Sequence, residues 1–537
     1  MKRFAAKYLY TLVTPEPIVN GFVEMEEDGT VLRTGVSVDP SAEEVFLDGI
    51  LCPGFVNAHC HVELSYMKGL FRKGTGMAGF IDQINELRDT QSLEDKVRKL
   101  TEAMDDMWDQ GVVAMADISN CNDSFAVKQR HPMYTRTFLE VFGAVPEECD
   151  AVMEGVTRLQ EEARSYGLDA APTPHACYTM SPQLITASSA AGLKSGFLSF
   201  HSEESDQEEE MMRFGRGPMW DNRIANDIPT PPVTGTSSLE YFLDRLKAGV
   251  PVPVEGNVLL VHECCLSEEG VAAAKAVLRH PYLAVCPLSN LFIHNMLPPI
   301  PLMRESGIPI CVGTDSLSSN DKLCMVDELR CLQEAFPEVP LGELLTWACR
   351  NGAAFLGKED VLGTLEPGKK PGVVFINSVG SIPSSAKNYA DATADVPVSD
   401  RKVPIGTAVC YESVYGEYCT GYVRKGAQLL TVITNDAWWG NTPGYKQHFN
   451  YSRLRAIETR RWVARCGNTG VSAIIDPCGR VLERTPWWEP TVLEGTVKLS
   501  TYQTFFVRNG DIVGRISVFL FGLLLLAALF RPSKKRR

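Results

Sequence analysis

Short apolar runs separated by longer stretches with helical periodicity fill residues 50–316 of the chain. Eight of these runs end in the segments GFVNAHCH, VVAMADIS, TRTFLEVFG, DAAPTPHACYT, FLSFHSEES, VLLVHECCL, LAVCPLSN and IPICVGTDS. Buried strands that alternate with helices are typical of a parallel (β/α)₈ barrel of the α/β class. The pattern therefore predicts such a TIM barrel over residues 51–362.

The segments before and after the predicted barrel have the pattern of strands. Residues 1–50 alternate apolar and polar positions and break at turn segments such as EEDGT. Residues 363–376, GTLEPGKKPGVVFI, again have a turn followed by a strand. We therefore expect residues 1–50 and 363–376 to form a small flanking β-sheet domain.

The pattern changes at residue 377. Residues 377–402 are rich in small and polar side chains, as is typical of a linker, and residues 403–508 bring new strand-like and helix-like stretches. The run ISVFLFGLLLLAALF then precedes the basic tail RPSKKRR. This run is shorter than the about 20 residues that cross a bilayer comfortably. Counted from residue 512 to residue 530, it predicts a membrane helix, with a buried core helix as the alternative.

Composition narrows the function classes. A length of 537 residues suggests two to four domains, and a net charge of −14 argues against nonspecific nucleic-acid binding. The 16 cysteines follow no paired framework, and several lie in predicted strands, which indicates reduced thiols. The basic start of the N-terminus leads to no apolar core with a cleavage site. We therefore expect a cytoplasmic barrel.

Five of the nine histidines lie at the ends of the predicted strands. They are His59, His61, His175, His201 and His262. The active site of a barrel is built where its strands end, so these histidines are expected to converge with Asp315. His59 and His61 lie two positions apart, so both side chains point the same way and can bind one divalent ion, with His201 and Asp315 as further ligands.

This donor set predicts a particular chemistry. Three neutral imidazoles and one carboxylate suit Zn²⁺, with Fe²⁺ as the alternative, and leave one position open for water. Such an ion lowers the pKa of its water enough to supply hydroxide near neutral pH. The sequence therefore predicts a metal-dependent hydrolase with a small-molecule substrate.

The ordered segments GFVNAHCHVELS, PHACYT, HSEE, VHECC, CPLSN and GTDS resemble the amidohydrolase superfamily, in its branch of one-metal deaminases and chlorohydrolases. The resemblance covers residues 1 to 376 and implies that His59, His61, His201 and Asp315 are the metal ligands. It implies that Glu204 protonates the ring nitrogen of the substrate. It further implies that His262 shuttles protons or stabilises the attacking hydroxide, and that Asp315 also accepts the proton of the water.

The same resemblance bears on the substrate. Members of the superfamily that bind two metal ions have a carboxylated lysine at the end of the fourth strand. This chain has His175 at that position, so the resemblance implies a single metal ion. His175 is expected to contact the substrate. The segment HCHVELS is similar to enzymes that deaminate 6-aminodeoxyfutalosine, and adenosine-type thioether nucleosides are the alternative. By this similarity, Glu63 is a candidate substrate contact. Asn290 is a further candidate contact. Arg136 on the third strand is either a contact for a substrate carboxylate or a structural residue. The leaving group stays open, because chlorohydrolases share the ligand set.

Residues 400–537 resemble a different family. The segments VCYESVYGEY, NDAWWGNTPGYKQH and LRAIETRRWVARCGNTGVSAIIDPCGRV resemble the C-terminal half of the nitrilase-like domain of apolipoprotein N-acyltransferases. The resemblance implies a partial αββα sandwich in which Cys410 is the nucleophile, with Glu412 beside it. The glutamate base and the lysine that precede the cysteine in that family have no counterpart here. Lipoprotein N-acyl transfer is therefore the alternative function, with an incomplete catalytic set.

Two interpretations explain the combination of the two parts. Either two reading frames are joined near residue 377, or the protein is a hydrolase whose tail tethers it to the inner membrane. Both place the barrel in the cytoplasm, and neither fixes the oligomeric state.

Overall fold

The computed structural model describes residues 2–37, 45–88, 90–377, 404–436, 442–489, 491–493, 495–512, 514–515, 517 and 520–521. The chain divides into two compact units, Met1–Val396 and Pro397–Arg537. Apart from Asn377, the predicted linker at residues 377–402 lies outside the described residues.

The first unit alternates strands and helices. Its strands are β1 (Lys2–Leu9), β2 (Ile18–Met25), β3 (Val31–Val36), β4 (Val45–Pro53), β5 (Phe55–Cys60), β6 (Val112–Ser119), β7 (Tyr134–Val141), β8 (Asp169–Pro174), β9 (Phe197–Ser202), β10 (Val254–His262), β11 (Leu278–Val285), β12 (Ile310–Val312) and β13 (Val373–Asn377). Its helices are α1 (Gly76–Leu87), α2 (Leu93–Asp109), α3 (Phe125–Arg130), α4 (Cys149–Ser165), α5 (Pro182–Leu193), α6 (Asp206–Phe214), α7 (Pro218–Ala225), α8 (Ser238–Gly249), α9 (Glu268–Val277), α10 (Pro287–His294), α11 (Ile300–Ser306), α12 (Met325–Ala335), α13 (Leu341–Leu345) and α14 (Gly352–Phe355).

Strands β5 to β12 form the predicted barrel. They pair in parallel in two halves, β5-β6-β7-β8 and β9-β10-β11-β12. Isolated bridges join the halves on both sides, between Ala176 and His201 and between Cys60 and Asp315. Both bridges lie at the carboxyl ends of the strands. The barrel therefore closes at the level where its histidines are found.

The barrel interior is apolar away from that end. Alanine, valine, cysteine and aromatic side chains fill it, including Ala116, Phe138, Val261 and Phe355. The rings of Phe138 and Phe355 stack with centroids 6.0 Å apart. Because these side chains fill the barrel interior, a polar cleft can form at the carboxyl ends of the strands, as is usual in barrels of this kind.

A five-stranded sheet with the order β13-β4-β1-β2-β3 flanks the barrel. Strand β1 pairs in parallel with β4, and β13 pairs antiparallel with β4. Strand β4 leads into β5 through Gly54, where a Cβ would clash with the Val113 side chain and the Pro371 carbonyl oxygen. Glycine is required there because sheet and barrel approach each other closely.

The second unit contains a single five-stranded sheet among its described residues. Its strands, in spatial order, are β14 (Ile405–Val409), β15 (Leu429–Asn435), β16 (Val463–Asn468), β17 (Ala473–Ile475) and β18 (Val481–Arg484). Its helices are α15 (Gly416–Arg424), α16 (Gly444–Thr459) and α17 (Phe505–Asn509). Strands β14, β15 and β16 are parallel, and the last two pairings are antiparallel.

The two faces of this sheet differ. Ala408 and Val432 are buried in a cluster that includes residues of all three helices, such as Val423. On the opposite face, Ile433 and Val409 are 53% and 56% exposed. The described part of the unit thus has one sheet with helices on one face, which corresponds to half of an αββα sandwich.

Most of the predicted membrane helix at residues 512–530 lies outside the described residues, which include only 512, 514–515, 517 and 520–521 of it. In the parts of the chain that the structure describes, none of the helices combines the length and the apolar character that a bilayer span requires.

Candidate active site

The two histidines of the first strand form the centre of the site. His59 lies in β5 and His61 directly follows it, and both side chains are buried, with exposed fractions of 0% and 7%. Their Nε2 atoms are 3.2 Å apart. Two imidazole nitrogens that converge at this distance are well placed to bind one cation.

Asp315 completes this side of the centre. Its Oδ1 atom lies 3.5 Å from Nε2 of His61 and 3.7 Å from Nε2 of His59. The hydroxyls of Ser289 and Ser319 donate to Oδ2, at 2.6 and 2.7 Å. These two bonds fix the carboxylate so that Oδ1 faces the histidines. The backbone of Asp315 has a φ of +56°, in the left-handed region.

His201 on β9 provides the third imidazole. A ligand atom of each of His59, His61 and His201 lies within 4.8 Å of the others. The Nδ1–H of His201 donates to the carbonyl oxygen of His175 at 3.3 Å, which leaves Nε2 unprotonated. Burial, together with the neighbouring histidines, holds the pKa values of His59 and His201 well below the ordinary histidine value. Neutral imidazoles are the form that binds metal, so the donor set fits one divalent ion.

His262 and Glu204 face each other beside this centre. The Nε2 atom of His262 is 3.5 Å from Oε1 of Glu204. The amide of Asn290 donates to Nδ1 of His262 at 3.2 Å, which places the ring proton on Nε2. Burial lowers the pKa of His262 to about 4, so the ring is neutral at pH 7. Asn290, predicted as a substrate contact, therefore contacts His262, and it does not line the cleft.

Glu204 has the properties of a proton donor. Burial raises its pKa well above the ordinary value, and the carboxylates of Asp315, Glu208 and Glu140 raise it further. The carboxyl group lines the cleft beside the donor set. A buried carboxyl group with a raised pKa holds its proton at neutral pH and can deliver it to a substrate.

A cleft of about 210 Å³ opens from the histidine centre. Its inner end contains His61, His201, Glu204 and Asp315, and helix α1 provides an apolar wall. His175 also lines the cleft, as predicted for a substrate contact, and its Nδ1 lies 2.7 Å from the hydroxyl of Thr179. Polar groups at one end and apolar walls beyond them are typical of a small-molecule site.

Glu63 was also predicted to contact the substrate. Its side chain is buried and does not line the cleft. Its carboxylate accepts hydrogen bonds from the backbone N–H of Asn120, at 2.9 and 3.0 Å, and from the Cys121 N–H at 3.3 Å. Asn120 in turn lines the cleft. Glu63 thus holds a loop of the site in place.

Of the two roles predicted for Arg136, its contacts correspond to the structural one. Arg136 is the third residue of β7, and its guanidinium bonds to Asp169 at 2.8 Å and to Ser195 at 2.6 Å. It also lies over the ring of Phe197. Because the catalytic end of a barrel strand is its carboxyl end, a residue near the start of β7 belongs to the opposite end of the barrel.

Glu140, the seventh residue of the same strand, reaches the site and was not predicted. Its Oε1 lies 3.4 Å from Nδ1 of His201, and its Oε2 accepts a bond from the Asn120 amide at 3.1 Å. A carboxylate beside the non-ligating nitrogen of a metal-binding histidine orients its ring. The one sequence signal for this role was an acidic residue near the end of the apolar segment TRTFLEVFG.

A buried ion pair supports the turn after His61. Lys128 and Asp117 are both fully buried and form a short ion pair. The other oxygen of Asp117 accepts a bond from the backbone N–H of Val62 at 2.9 Å. The Lys128 ammonium also donates to Ser119 and Thr137. The pair therefore fixes the backbone next to His61.

The predicted nucleophile of the second unit, Cys410, begins a 3₁₀ turn directly after β14. Its φ is +49°, and the Thr434 hydroxyl donates to its sulfur at 3.5 Å. The carboxylate of Glu412 accepts bonds from the Val409 N–H at 2.8 Å and the Tyr418 hydroxyl at 2.9 Å. Glu412 therefore stabilises the turn that presents the thiol.

Three buried side chains behind Cys410 were not predicted. Nδ1 of His448 lies 2.8 Å from Oδ1 of Asp436, whose Oδ2 accepts a bond from Arg465 at 2.8 Å. Nε2 of His448 lies 3.1 Å from the carbonyl oxygen of Cys410. Burial raises the pKa of Asp436, but the bond from His448 and the charge of Arg465 outweigh it and place the pKa below the usual value.

Two protein families match the chain. Residues 50–403 match the amidohydrolase family, and residues 369–505 match a family described as carbon-nitrogen hydrolase. These matches agree with the two resemblances that the sequence motifs carry.

Curated relatives match the C-terminal part of the chain. An apolipoprotein N-acyltransferase of Chlorobaculum tepidum is 43% identical over 129 residues, which are 24% of this chain and 24% of the relative. An apolipoprotein N-acyltransferase of Geobacter metallireducens is 30% identical over 212 residues, 39% of this chain and 38% of the relative. The chain thus spans less than half of the length of these relatives.

Solved structures share the fold of the first unit. The aminofutalosine deaminase of Helicobacter pylori, in complex with methylthio-coformycin, has a TM-score of 0.61 at 22% identity and covers 72% of this chain and 94% of its own. An adenosine deaminase from Xanthomonas campestris with bound zinc has a TM-score of 0.56 at 19% identity, with coverages of 73% and 90%. Atrazine chlorohydrolase from Arthrobacter aurescens, in complex with zinc, has a TM-score of 0.55 at 17% identity, with coverages of 70% and 86%. At these identities the likeness establishes a shared fold.

Proposed function

Because the chain belongs to the amidohydrolase family over residues 50–403, we propose that it is a metal-dependent hydrolase that releases ammonia from an aminopurine nucleoside. One observation carries the proposal. The four predicted ligands converge at the mouth of the barrel, and a buried acid, Glu204, faces the same cleft next to His262.

The donor set holds the cofactor. His59, His61, His201 and Asp315 bind one divalent ion, Zn²⁺ in preference to Fe²⁺. When bound, such an ion lowers the pKa of a coordinated water and so supplies hydroxide near neutral pH. The protein contributes neutral imidazoles and a fixed carboxylate, all on buried side chains.

The residues around the ion move the protons of the reaction. Asp315 accepts the proton of the attacking water, because Oδ1 is the carboxylate oxygen that the two serines leave unbonded. Glu204 delivers its proton to the ring nitrogen next to the reacting carbon. The Nε2–H of His262 donates to the incoming oxygen. The carbon gains a bond to oxygen. Asp315 then passes its proton to the exocyclic amino group, whose bond to the carbon breaks, so that ammonia leaves. The proton of the new hydroxyl group returns to Glu204 as the carbonyl group forms.

The substrate proposal rests on chemistry and on fold. A protonated carboxyl group beside the donor set suits a heteroaromatic ring with a basic nitrogen next to an amino-bearing carbon. The aminofutalosine and adenosine deaminases share the fold, which makes 6-aminodeoxyfutalosine the first candidate and adenosine-type thioether nucleosides the second. An atrazine chlorohydrolase also shares the fold, so hydrolytic removal of chloride is a second reaction compatible with the site.

Ammonia release tests the proposal. The full chain, loaded with zinc, is incubated with a panel of aminopurine nucleosides that includes 6-aminodeoxyfutalosine. We expect turnover of one of them, and no turnover by His59→Ala, which removes a ligand. Chloride release from a chlorotriazine without ammonia release from the panel would favour the chlorohydrolase reaction instead.

Lipoprotein N-acyl transfer is the second candidate function. It is supported by the 43% identity to an apolipoprotein N-acyltransferase and by the left-handed backbone that presents the Cys410 thiol. A thiol needs a neighbouring base or cation to act as a nucleophile. The described contacts of Cys410 are with Ser413, Thr434 and His448, and they include no lysine. Incubating the chain and its Cys410→Ala variant with an apolipoprotein and a phospholipid tests this activity.

We further propose a cytoplasmic barrel that the segment at residues 512–530 attaches to the inner membrane. The apolar run and the basic tail of that segment support the proposal. Membrane fractionation of the full chain and of a chain that lacks residues 509–537 tests it. Equal distribution of both between membrane and soluble fractions would contradict an anchoring role.

A further inference from the structure

We propose that Arg88 binds an anionic group of the substrate at the outer end of the cleft. This inference rests on the proposed function, because it assumes that the reacting carbon lies at the histidine centre. The anionic group then belongs to a substituent far from the reacting carbon. Arg88 takes the substrate-contact role that was one of the two alternatives for Arg136, a residue near the start of β7 and so at the other end of the barrel.

The charges along the cleft are unevenly distributed. The carboxyl groups of Glu140, Glu204 and Asp315 lie at its inner end. Its outer part is built from helix α1 and from Phe142. Arg88, directly after α1, is the one arginine or lysine among the described residues that line the cleft. An anionic substituent therefore finds its complement only at the outer end.

The backbone of Arg88 is fixed. Its N–H donates to the carbonyl oxygen of Ile84 at 3.0 Å, and its own carbonyl oxygen accepts a bond from the Tyr66 hydroxyl at 2.5 Å. Its guanidinium lies 5.6 Å from the centre of the Phe142 ring. Two backbone anchors and a ring contact hold this side chain at the cleft wall before a ligand arrives, which reduces the entropic cost of binding.

The charge of Arg88 is not neutralised within the protein. No described carboxylate lies within ion-pair distance of its guanidinium, although the side chain is partly buried. A guanidinium presents donors in a planar fork that matches a carboxylate or phosphate in two parallel bonds. Arg88 therefore suits either anion.

A continuous row of rings connects Arg88 to the histidine centre. The Phe142 ring lies 6.5 Å from the His175 ring, and the His175 ring lies 4.8 Å from that of His201. A ligand with its reacting ring at the centre therefore passes His175 and Phe142 before it reaches Arg88. This arrangement selects elongated substrates over bare nucleosides.

A second cavity beside the cleft is the alternative place for the anionic group. It encloses about 340 Å³ and shares Ile81 and Tyr178 with the cleft. Asp82 and Glu86 line it, and the guanidinium of its Arg223 is engaged by the carbonyl oxygen of Pro229. These two carboxylates disfavour an anion in the second cavity, so we place the anionic group at Arg88.

Three probes test the inference. They are an aminopurine nucleoside with a carboxylate in its 5′ substituent, the methyl ester of the same compound, and the 5′-phosphate of the parent nucleoside. Binding to the zinc-loaded full chain is measured by calorimetry, and ammonia release is measured in parallel. The carboxylate and phosphate arms distinguish the two kinds of anion.

Three variants accompany the wild type. Arg88→Met keeps the length of the side chain without its charge, and Arg88→Lys keeps the charge without the planar fork. Lys96→Met is the matched control, because its ammonium lies 4.8 Å from the Tyr66 ring but does not line the cleft. Thermal unfolding of each variant shows whether the fold is intact.

We expect the wild type and Lys96→Met to bind at least one anionic probe about 10- to 100-fold more tightly than the ester, as is typical of a hydrogen bond to a charged group. Arg88→Met should lose this preference, and Arg88→Lys should keep part of it. Equal binding of all probes by the wild type, no binding of any probe, or a preference that survives in Arg88→Met would overturn the inference. If an anionic probe binds more tightly than the ester but no probe releases ammonia, the role of Arg88 stands and only the proposed deamination is overturned.

Discussion

Ser289 donates a hydrogen bond of 2.6 Å to Oδ2 of Asp315, and the other oxygen of that carboxylate faces the histidines. We predict that Ser289→Ala weakens zinc binding about 10- to 100-fold, because the carboxylate loses part of its orientation. Competition with a chromogenic chelator measures the affinity. Ser188→Ala is a suitable control, since the Ser188 hydroxyl bonds only within its own helix. An affinity that stays within twofold of the wild type would show that Ser319 alone suffices to orient Asp315.

Glu204 gives a second prediction. Glu204→Gln keeps the shape of the side chain but removes the acidic proton, so kcat should fall about 10²- to 10⁴-fold. The zinc content should stay at the wild-type level, because Glu204 is not among the ligands. In contrast, His61→Ala should lose both zinc and turnover. Metal analysis and steady-state kinetics on the same samples separate the two effects, and full activity of Glu204→Gln would exclude it as the proton donor.

The buried pair of Lys128 and Asp117 yields a prediction on stability. Lys128→Met leaves the Asp117 carboxylate buried without its partner, which should lower the free energy of unfolding by about 3–5 kcal/mol. Urea unfolding measures the change. Lys99→Met serves as the control, because the ion pair of Lys99 with Glu102 is exposed and should contribute nothing measurable. Similar losses in both variants would contradict the proposed importance of the buried pair.

Asp436 makes the second unit sensitive to acid. Its pKa in the folded protein lies below the usual value, because the bond from His448 and the charge of Arg465 outweigh burial. Its stabilising contribution is therefore complete above the pKa of an unfolded aspartate, about 3.9, and is lost as the pH falls through the lower folded-state pKa. Calorimetric unfolding of the full chain from pH 7 to pH 3 should show a transition that weakens below about pH 4.

The variant Asp436→Asn tests the origin of that acid sensitivity. It cannot ionise, so its lower stability should vary less with pH over the same range. Asp95→Asn, at an exposed position of helix α2, is the comparison. An acid response of Asp436→Asn that equals that of the wild type would assign the sensitivity to other groups.

The two units should be separable in function. Cys410→Ala is expected to leave ammonia release unchanged, because the thiol belongs to the second unit and the whole donor set to the first. The test is kcat/KM of the variant with the best nucleoside substrate. A loss of more than threefold would mean that deamination depends on the second unit.

The sequence predicted the barrel and the convergence of its histidines because both depend on local features. Strand ends can be read from apolar runs, and the strand ends carry His59, His61 and His201. Positions along a strand are harder to place. Arg136 was left as either a site residue or a structural one, because the pattern located β7 without fixing which of its residues lie at the carboxyl end.

The residues that the sequence did not indicate act through long-range contacts. Glu140 reaches His201 across 61 positions of the chain, and the Lys128 side chain on helix α3 reaches Asp117 on strand β6. Asn290 was assigned to the substrate, whereas its amide faces His262. Side-chain orientations of this kind follow from packing, which a pattern of residue types along the chain does not specify.

The left-handed backbone of His262 and Asp315 limits how far this protein can be stabilised against heat. Conformations of this kind cost roughly 1–2 kcal/mol each when the residue is not glycine. Glycine at either position would relieve the strain, and selection for heat resistance alone would favour it. Each such gain would remove a side chain to which the proposed reaction assigns a proton transfer or a hydrogen bond. Engineering for heat resistance should therefore leave these two strand ends unchanged and turn to the helices and the flanking sheet.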